Sequence, residues 1–266
     1  MREQPVIRSV AGTATFDTRP AALHLGLIAL ATDLTTERDF ARICGPRDIA
    51  VHVTRVAYDN PTTAENLRAM QPRLAAAAAL ILPGERLDAV AYACTAASVL
   101  IGDRQVTAAV QAGRPGVPCV TPIGAALAAL RGLGARRLSV LAPYTEAVTR
   151  PVCDFFLGQG FELRSAACFG LDDDRQMARL APRSLVEAAV QTCDPLADAL
   201  FVSCTALRAC EVAEAIEVRI GRPVVTANQA MIWGTLRAAG YAEPVAGFGR
   251  LFHLPASLPE SEAREG

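Results

Sequence analysis

The sequence predicts an α/β protein of two lobes, each a mostly four-stranded parallel sheet flanked by helices, with the lobes related by a pseudo-twofold axis. Apolar segments of strand length alternate with helical segments, an order typical of parallel sheets. The motif Asp-Ala, four residues and Cys-Thr-Ala occurs at residues 88–96 and again at residues 198–206. Other segments recur in the same order at similar offsets, so the two halves are predicted to repeat one architecture.

The first half of the chain contains four predicted strands. Residues 23–31 are a continuous apolar run, which favours a strand covered on both faces. The next strands are predicted over residues 49–56, 87–94 and 117–121. Helices are predicted over residues 37–43, residues 60–79, the segment directly after Cys94 and residues 106–112. Strands and helices therefore alternate through the whole of this half.

The second half repeats this order after a helix over residues 122–133, for which Gly134 is the predicted C-cap. Strands are predicted over residues 137–142, 161–169, 200–203 and 223–226, and helices over residues 185–192 and 230–239. We assign residues 22–121 and 228–253 to the first lobe and residues 122–227 to the second. Residues 1–21 and 254–266 are predicted to be extensions.

Composition excludes several classes of function. Hydrophobic residues make up 52% of the 266 residues and the formal net charge is −1, with the arginines scattered, so nucleic-acid binding is not predicted. The longest apolar run, residues 74–83, is too short to span a bilayer. The N-terminus has no apolar segment typical of a secretory signal, and we expect a cytoplasmic protein.

The eight cysteines are spread over the whole length. They include no Cys-x-x-Cys pair and the chain has only three histidines, so neither a disulfide framework nor a zinc site is predicted. The default interpretation of a single cysteine is a small buried apolar residue. We apply that interpretation to six of the cysteines. Cys94 and Cys204 are the exceptions, because these two occupy equivalent positions of the repeat.

Ligands of open α/β sheets bind beyond the carboxyl ends of the strands, where Asp33, Cys94, Tyr144 and Cys204 fall. If the lobes face each other, these side chains converge on one cleft. A cysteine at the start of a helix lies near unpaired N–H groups and the positive end of the helix dipole, so we expect the pKa of both thiols to be lowered. The hydroxyls of the two threonines that follow the cysteines, Thr95 and Thr205, are predicted to bind a substrate carboxylate.

Two thiols on opposite sides of a substrate suggest two kinds of chemistry. One thiol removes a proton while the other returns it, or one attacks carbon while the other supplies a proton. Neither route needs a cofactor, and none is predicted. Asp174 completes the predicted site. The histidines are interpreted as structural or exposed, and Thr121, Thr226 and Asn228 as structural.

These residues are similar to those of the aspartate/glutamate racemase superfamily, in particular the branch of maleate cis–trans isomerase, arylmalonate decarboxylase and the ectoine-utilisation A protein. The segments that show the resemblance are residues 60–68, 91–95, 142–144, 201–205 and 226–230. The resemblance implies a two-lobed, cofactor-independent, homo-oligomeric enzyme with paired cysteines. It also implies that Tyr144 binds a substrate carboxylate.

Two departures from maleate isomerase bear on the substrate. Maleate isomerase is similar to this chain around Asp33 and Asp174 but has asparagine at both positions. Two carboxylates there would repel a dianion and attract an ammonium group. We therefore expect a racemase or isomerase of a small carboxylate or amino acid, with a diaminobutyrate-type intermediate of ectoine degradation as the hypothesis.

Three alternatives stay open at this point. The first is maleate cis–trans isomerisation with Cys94 as covalent nucleophile, and the second is an arylmalonate-type decarboxylase. The resemblance disfavours the second, because that enzyme uses only the cysteine of the second lobe. The third is an inactive small-molecule binding protein.

Overall fold

In a computed structural model, which describes residue 5 and residues 7–254, eight strands form two parallel sheets with the same strand order. The first sheet contains β1 (Leu23–Leu30), β2 (Ile49–Val56), β3 (Ala89–Tyr92) and β4 (Cys119–Val120). Its order is β2-β1-β3-β4, so the first strand lies in the interior of the sheet. In keeping with this interior position, every residue of β1 from His24 to Leu30 is buried.

The second sheet contains β5 (Arg137–Tyr144), β6 (Glu162–Leu171), β7 (Ala199–Val202) and β8 (Val224–Thr226). Its order is β6-β5-β7-β8, which repeats the first sheet strand for strand. β1 and β2 pair without interruption, whereas the register between β5 and β6 shifts twice. The predicted fold class of two four-stranded parallel sheets is confirmed.

The helices of the first half largely match the predicted ones. They are α1 (Thr36–Cys44), α2 (Ala64–Arg68), α3 (Leu74–Ala79), α4 (Thr95–Ile101), α5 (Asp103–Gly113) and α6 (Pro122–Gly132). The prediction of one helix over residues 60–79 is wrong, because α2 ends at Arg68 and a 3-10 turn, Gln71–Arg73, precedes α3. Pro72 lies in that turn and has no N–H to donate to the preceding helical turn.

The helices of the second half are α7 (Glu146–Gly158), α8 (Asp174–Met177), α9 (Pro182–Thr192), α10 (Ala213–Ile220) and α11 (Ala227–Ala238). The sequence patterns missed α7, α8 and α10. Pro151 lies inside α7, and a proline is ordinarily a reason to end a predicted helix. Further 3-10 turns occupy Ala11–Thr13, Cys210–Val212 and Arg250–His253.

The aspartate of the repeated motif has the same structural role in both sheets. Asp88 accepts a hydrogen bond from the backbone N–H of His24 at 2.8 Å, and Asp198 accepts one from the N–H of Arg137 at 2.8 Å. Each carboxylate thereby fixes the start of the first strand of its sheet, and an arginine pairs with each: Arg19 with Asp88 and Arg137 with Asp198. Asp88 and Asp198 directly precede β3 and β7, so the shared spacing within the motif places each cysteine just beyond the carboxyl end of that strand.

The division into lobes stays a prediction. The helix α11, assigned to the first lobe, packs against β3, β4 and α1 of that lobe and also against α6 and β8 of the second. Residues 7–22 precede β1 without strand structure, in keeping with the predicted extension, and residues 255–266 of the second extension lie outside the described residues. Across the part of the chain described, no helix has the length and apolar character needed to cross a membrane.

Candidate active site

A buried cavity lies where the carboxyl ends of the two sheets meet. Its volume is about 20 Å³, which is about the space that one water molecule needs. The residues at its wall include two cysteines, two aspartates and two tyrosines, namely Cys94, Cys204, Asp33, Asp174, Tyr58 and Tyr144. The structure therefore brings the two predicted thiols to one site, with both predicted carboxylates beside them.

Cys94 follows β3 after Ala93 and is the N-cap residue of α4. Its backbone is extended, with φ −151°, and only 6% of the residue is exposed. Burial raises the pKa of the Cys94 thiol to about 12, although the N–H of Ala97 acts in the opposite direction. The negative groups around the cavity, Asp174 and Asp33, raise it further. The expected lowering of this pKa by the helix start is thus wrong for the closed cavity.

Cys204 follows β7 in a different backbone conformation, with φ +91°. Residues 205–209 form turns before the 3-10 turn Cys210–Val212, so the prediction of a helix directly after Cys204 is wrong. The thiol accepts the N–H of Ala206 at 3.3 Å and lies 3.9 Å from Met177 Sδ. Burial raises the pKa of Cys204 to about 12, opposed by hydrogen bonds from Tyr144 and Ala206.

The two threonines after the cysteines have different environments. Thr205 lines the cavity, and its hydroxyl donates to the carbonyl of Ala93 at 3.0 Å. Thr95 is fully buried and is not part of the cavity wall, although its neighbours Cys94 and Ala96 are, and its hydroxyl has no hydrogen-bond partner within residues 7–254. Of the two predicted carboxylate-binding hydroxyls, only that of Thr95 is thus uncommitted.

Asp33 lies in the loop between β1 and α1 and caps the start of α1. Its carboxylate accepts the N–H groups of Thr35 and Thr36, each at 2.9 Å, and the hydroxyl of Thr36 at 2.6 Å. Burial nevertheless raises its pKa. Asp33 is therefore both a structural cap and a wall of the cavity.

Asp174 begins α8 and joins the two lobes. Its carboxylate accepts the side-chain N–H of Asn60 at 2.7 Å and the hydroxyl of Thr32. Asn60 also donates to Asp173 at 3.1 Å, and the N–H of Thr62 donates to the carbonyl of Asp172 at 2.5 Å. The loop after β2 and the loop after β6 are thus bonded to each other beside the cavity.

The two tyrosines come from different halves of the chain, Tyr58 from the first and Tyr144 from the second. Tyr144 ends β5, and burial raises its pKa well above the ordinary value, with the nearby Cys204 and Cys94 acting in the same direction. Tyr58, which the sequence reasoning missed, donates its hydroxyl to Thr62 at 2.9 Å, and burial raises its pKa as well. The sequence signal that points to Tyr58 and Thr62 is the Asn-Pro-Thr-Thr segment at residues 60–63, one of the segments that carry the family resemblance.

The wall of the cavity is acidic. Among the described residues that line it there is no arginine, lysine or histidine, and all 26 basic residues of the chain other than histidine are arginines. Arg55 approaches Asp33 only from the backbone side, donating to the carbonyls of Leu30 and Asp33 at 3.0 and 3.1 Å. In the region described, no cluster of three or more histidine, cysteine, aspartate or glutamate side chains could hold a metal ion. The cavity therefore suits a ligand group with positive charge.

Comparison with known proteins adds an independent line of observation. The family model described as arylmalonate decarboxylase matches residues 65–252. Arylmalonate decarboxylase of Bordetella bronchiseptica is 29% identical over 205 residues, which cover 75% of this chain and 81% of that protein. Maleate isomerase of Pseudomonas putida is 26% identical over 181 residues, which cover 65% of this chain and 72% of that protein.

Solved structures extend the likeness to the whole fold. The crystal structure of the maleate isomerase of a Pseudomonas putida strain matches with a TM-score of 0.81 at 23% identity. The match covers 88% of this chain and 99% of that one. The two structures therefore share the two-lobed architecture over 88% of this chain.

Proposed function

This chain belongs to the arylmalonate decarboxylase family, and from that premise we propose that it is a cofactor-independent isomerase that racemises a small amino acid with Cys94 and Cys204. The family lies within the branch of the racemase-like fold that includes maleate isomerase. The observation that supports it is the single cavity lined by both thiols and by Asp33 and Asp174. Homo-oligomeric assembly and a cytoplasmic location stay predictions.

The charge of the cavity favours an amino acid over a dicarboxylate. Burial and the two carboxylates raise the pKa of both thiols to about 12, so a thiolate is disfavoured without a counter-charge. The ammonium group of an amino acid would supply that counter-charge and favour the thiolate. A dianion such as maleate would act in the opposite direction. A diaminobutyrate-type substrate, with a second ammonium group, fits the same argument.

In the proposed reaction the two thiols exchange one proton with the α-carbon. The thiolate of one cysteine takes the α-proton, and the thiol of the other gives its proton to the opposite face. The carboxylate beside the carbanion becomes an enediolate, which hydrogen-bond donors stabilise. Thr95 is the proposed donor, because its buried hydroxyl lacks a partner among the described residues. The reverse reaction exchanges the roles of the cysteines.

The names of the relatives favour a second candidate. Maleate isomerase is the name of several of them, and in that reaction Cys94 would attack an alkene carbon while Cys204 supplies a proton. Decarboxylation of an arylmalonate and ligand binding without turnover are the remaining alternatives. These four readings predict different products from different compounds.

The deciding experiment incubates the parent protein in heavy water with diaminobutyrate, aspartate, glutamate, maleate and phenylmalonate in turn. Racemisation incorporates deuterium at the α-carbon of an amino acid. Fumarate from maleate, with a transient mass adduct on Cys94, would support the second candidate instead. Release of carbon dioxide from phenylmalonate would support decarboxylation.

Variants identify the residues that act. We expect Cys94→Ser and Cys204→Ser each to abolish interconversion, and Cys153→Ser, a half-buried cysteine outside the cavity wall, to retain it. Binding of a compound without exchange, adduct or turnover would leave only the binding protein.

A further inference from the structure

Cys204 has a backbone conformation that a side chain with a Cβ rarely adopts. Its φ is +91°, and Leu82 is the only other non-glycine residue with positive φ in the part of the chain that the structure describes. Such a conformation persists only where the surroundings hold it. The groups that contact the peptide after Cys204 are therefore candidates for holding this thiol in position.

The carbonyl of Thr205 is held by side chains from outside the second sheet. The hydroxyl of Thr35 donates to it at 2.6 Å, and the side-chain amide of Asn228 donates at 2.9 Å. Thr35 precedes α1, and Asn228 lies in the first turn of α11, both of which belong to the predicted first lobe. The loop with the second-lobe thiol is thus fastened to the first lobe.

Asn228 is oriented by a third residue. Its nitrogen also donates to the carboxylate of Asp39 at 2.8 Å. Both partners of this nitrogen are acceptors, so its two N–H groups are divided between Asp39 and Thr205 and the amide cannot be turned around. Asn228 is 2% and Asp39 is 4% exposed, so water does not compete for these bonds.

We propose that Asp39 and Asn228 are positioning residues for Cys204: Asp39 orients the Asn228 amide, and the amide with Thr35 holds the Thr205 carbonyl so that the thiol faces the cavity. The proposal rests on the proposed function for its meaning in catalysis, but not for its test. Cys94, the N-cap residue of α4, lies outside this set of bonds, and the link to its loop runs through the hydroxyl of Thr205, which donates to Ala93, rather than through the Thr205 carbonyl. The carbonyl and its donors therefore support Cys204 more directly than Cys94.

The test measures the rate at which iodoacetamide alkylates each cysteine, read by peptide mass spectrometry, in parent and variants. Asn228→Ala and Asp39→Ala should change the rate at Cys204 at least threefold and the rate at Cys94 less than twofold. Asp39→Asn keeps an acceptor oxygen and should restore the parent rate. Thr35→Val, close in shape to the parent residue, should act like Asn228→Ala and provides a second route if that variant does not fold.

The control is Thr235→Val, because Thr235 is a buried residue of α11 whose hydroxyl donates only to Met231 within that helix. It should leave both alkylation rates within twofold of the parent. Equal changes in the alkylation rates of Cys94 and Cys204 would overturn the proposal. So would an unchanged alkylation rate of Cys204 in Asn228→Ala, or in Thr35→Val.

Kinetics separate this proposal from the proposed function. With an active substrate, Asn228→Ala should lower kcat at least tenfold and change KM less than threefold. A selective change at Cys204 without turnover of any compound would uphold the positioning role and contradict the racemase. Turnover of an amino acid with unchanged alkylation in the variants would do the reverse.

Discussion

The hydroxyl of Thr205 donates to the carbonyl of Ala93 over 3.0 Å, so the residue after one cysteine is bonded to the residue before the other. This bond connects the two loops that follow β3 and β7. It makes the relative position of the two thiols a property of a direct contact between the loops rather than of the distant lobe cores.

Replacing Thr205 by valine removes this bond and leaves a buried carbonyl without its donor. We expect the free energy of unfolding to fall by about 1–3 kcal/mol, measured by urea denaturation, and turnover to fall more than tenfold. Thr149→Val is the control, because that hydroxyl bonds only within its own helical region, to Thr145. A Thr205→Val variant as stable and as active as the parent would show that the contact is dispensable.

The raised pKa of the two thiols predicts slow alkylation in the absence of substrate. With a pKa of about 12 for Cys94 and Cys204, the thiolate fraction at pH 8 is roughly a thousandfold below that of an ordinary cysteine. Iodoacetamide should therefore modify the exposed Cys168 first, and the two cavity cysteines should react faster as the pH rises toward 10. Preferential labelling of Cys94 or Cys204 at pH 7 would contradict the expectation; the unfolded protein, in which all eight cysteines are accessible, is the control.

Asp39 should destabilise the fold at neutral pH. Burial raises its pKa from 3.8 to about 6, so the folded protein binds this proton more tightly than the unfolded chain. Stability therefore rises as the pH falls from about 6 toward 4, the opposite of a salt-bridged aspartate. We expect Asp39→Asn to raise the free energy of unfolding at pH 8 by about 1–3 kcal/mol and to have little effect at pH 4. Destabilisation by this change at pH 8 would contradict the sign.

Asp33 and Asp174 should determine which ligand charge the cavity accepts. We expect Asp174→Asn, alone or with Asp33→Asn, to tighten maleate binding by about tenfold, about 1.4 kcal/mol, and to weaken amino-acid turnover. Asparagine also caps helices, so Asp33→Asn should retain the start of α1. The control is Asp103→Asn, an aspartate outside the cavity wall that accepts the hydroxyl of Thr121. Calorimetric titration measures the affinity, and weaker maleate binding in both variants would refute the charge argument.

The strands and the pairing of Cys94 with Cys204 could be predicted from sequence because their signals are local. An apolar run as long as β1 has few alternatives, and the repeated motif identifies its own partner. The predicted lowering of thiol pKa failed because it considered the helix start alone, while burial by residues distant in the chain has the larger effect.

Other features had no local signal. Asp39 and Asn228 are 189 positions apart and meet only through the packing of α1 against α11. The positive φ of Cys204 likewise depends on contacts with the other lobe, since its Cys-Thr-Ala neighbourhood is the same as that of Cys94. Identical tripeptides thus adopt different conformations in the two halves.

The bonds from Asn60 to Asp173 and Asp174 have a consequence for the speed of the enzyme. The cavity beside them, at about 20 Å³, is smaller than any amino acid, so the site must widen to admit one. We expect these bonds, which join the two loops at the cavity, to break when it widens. The rate of this opening would then be the upper limit of turnover. Raising the solvent viscosity would then slow the turnover of the parent enzyme. The turnover of a variant that lacks the hydrogen bonds of Asn60 would be less sensitive to viscosity.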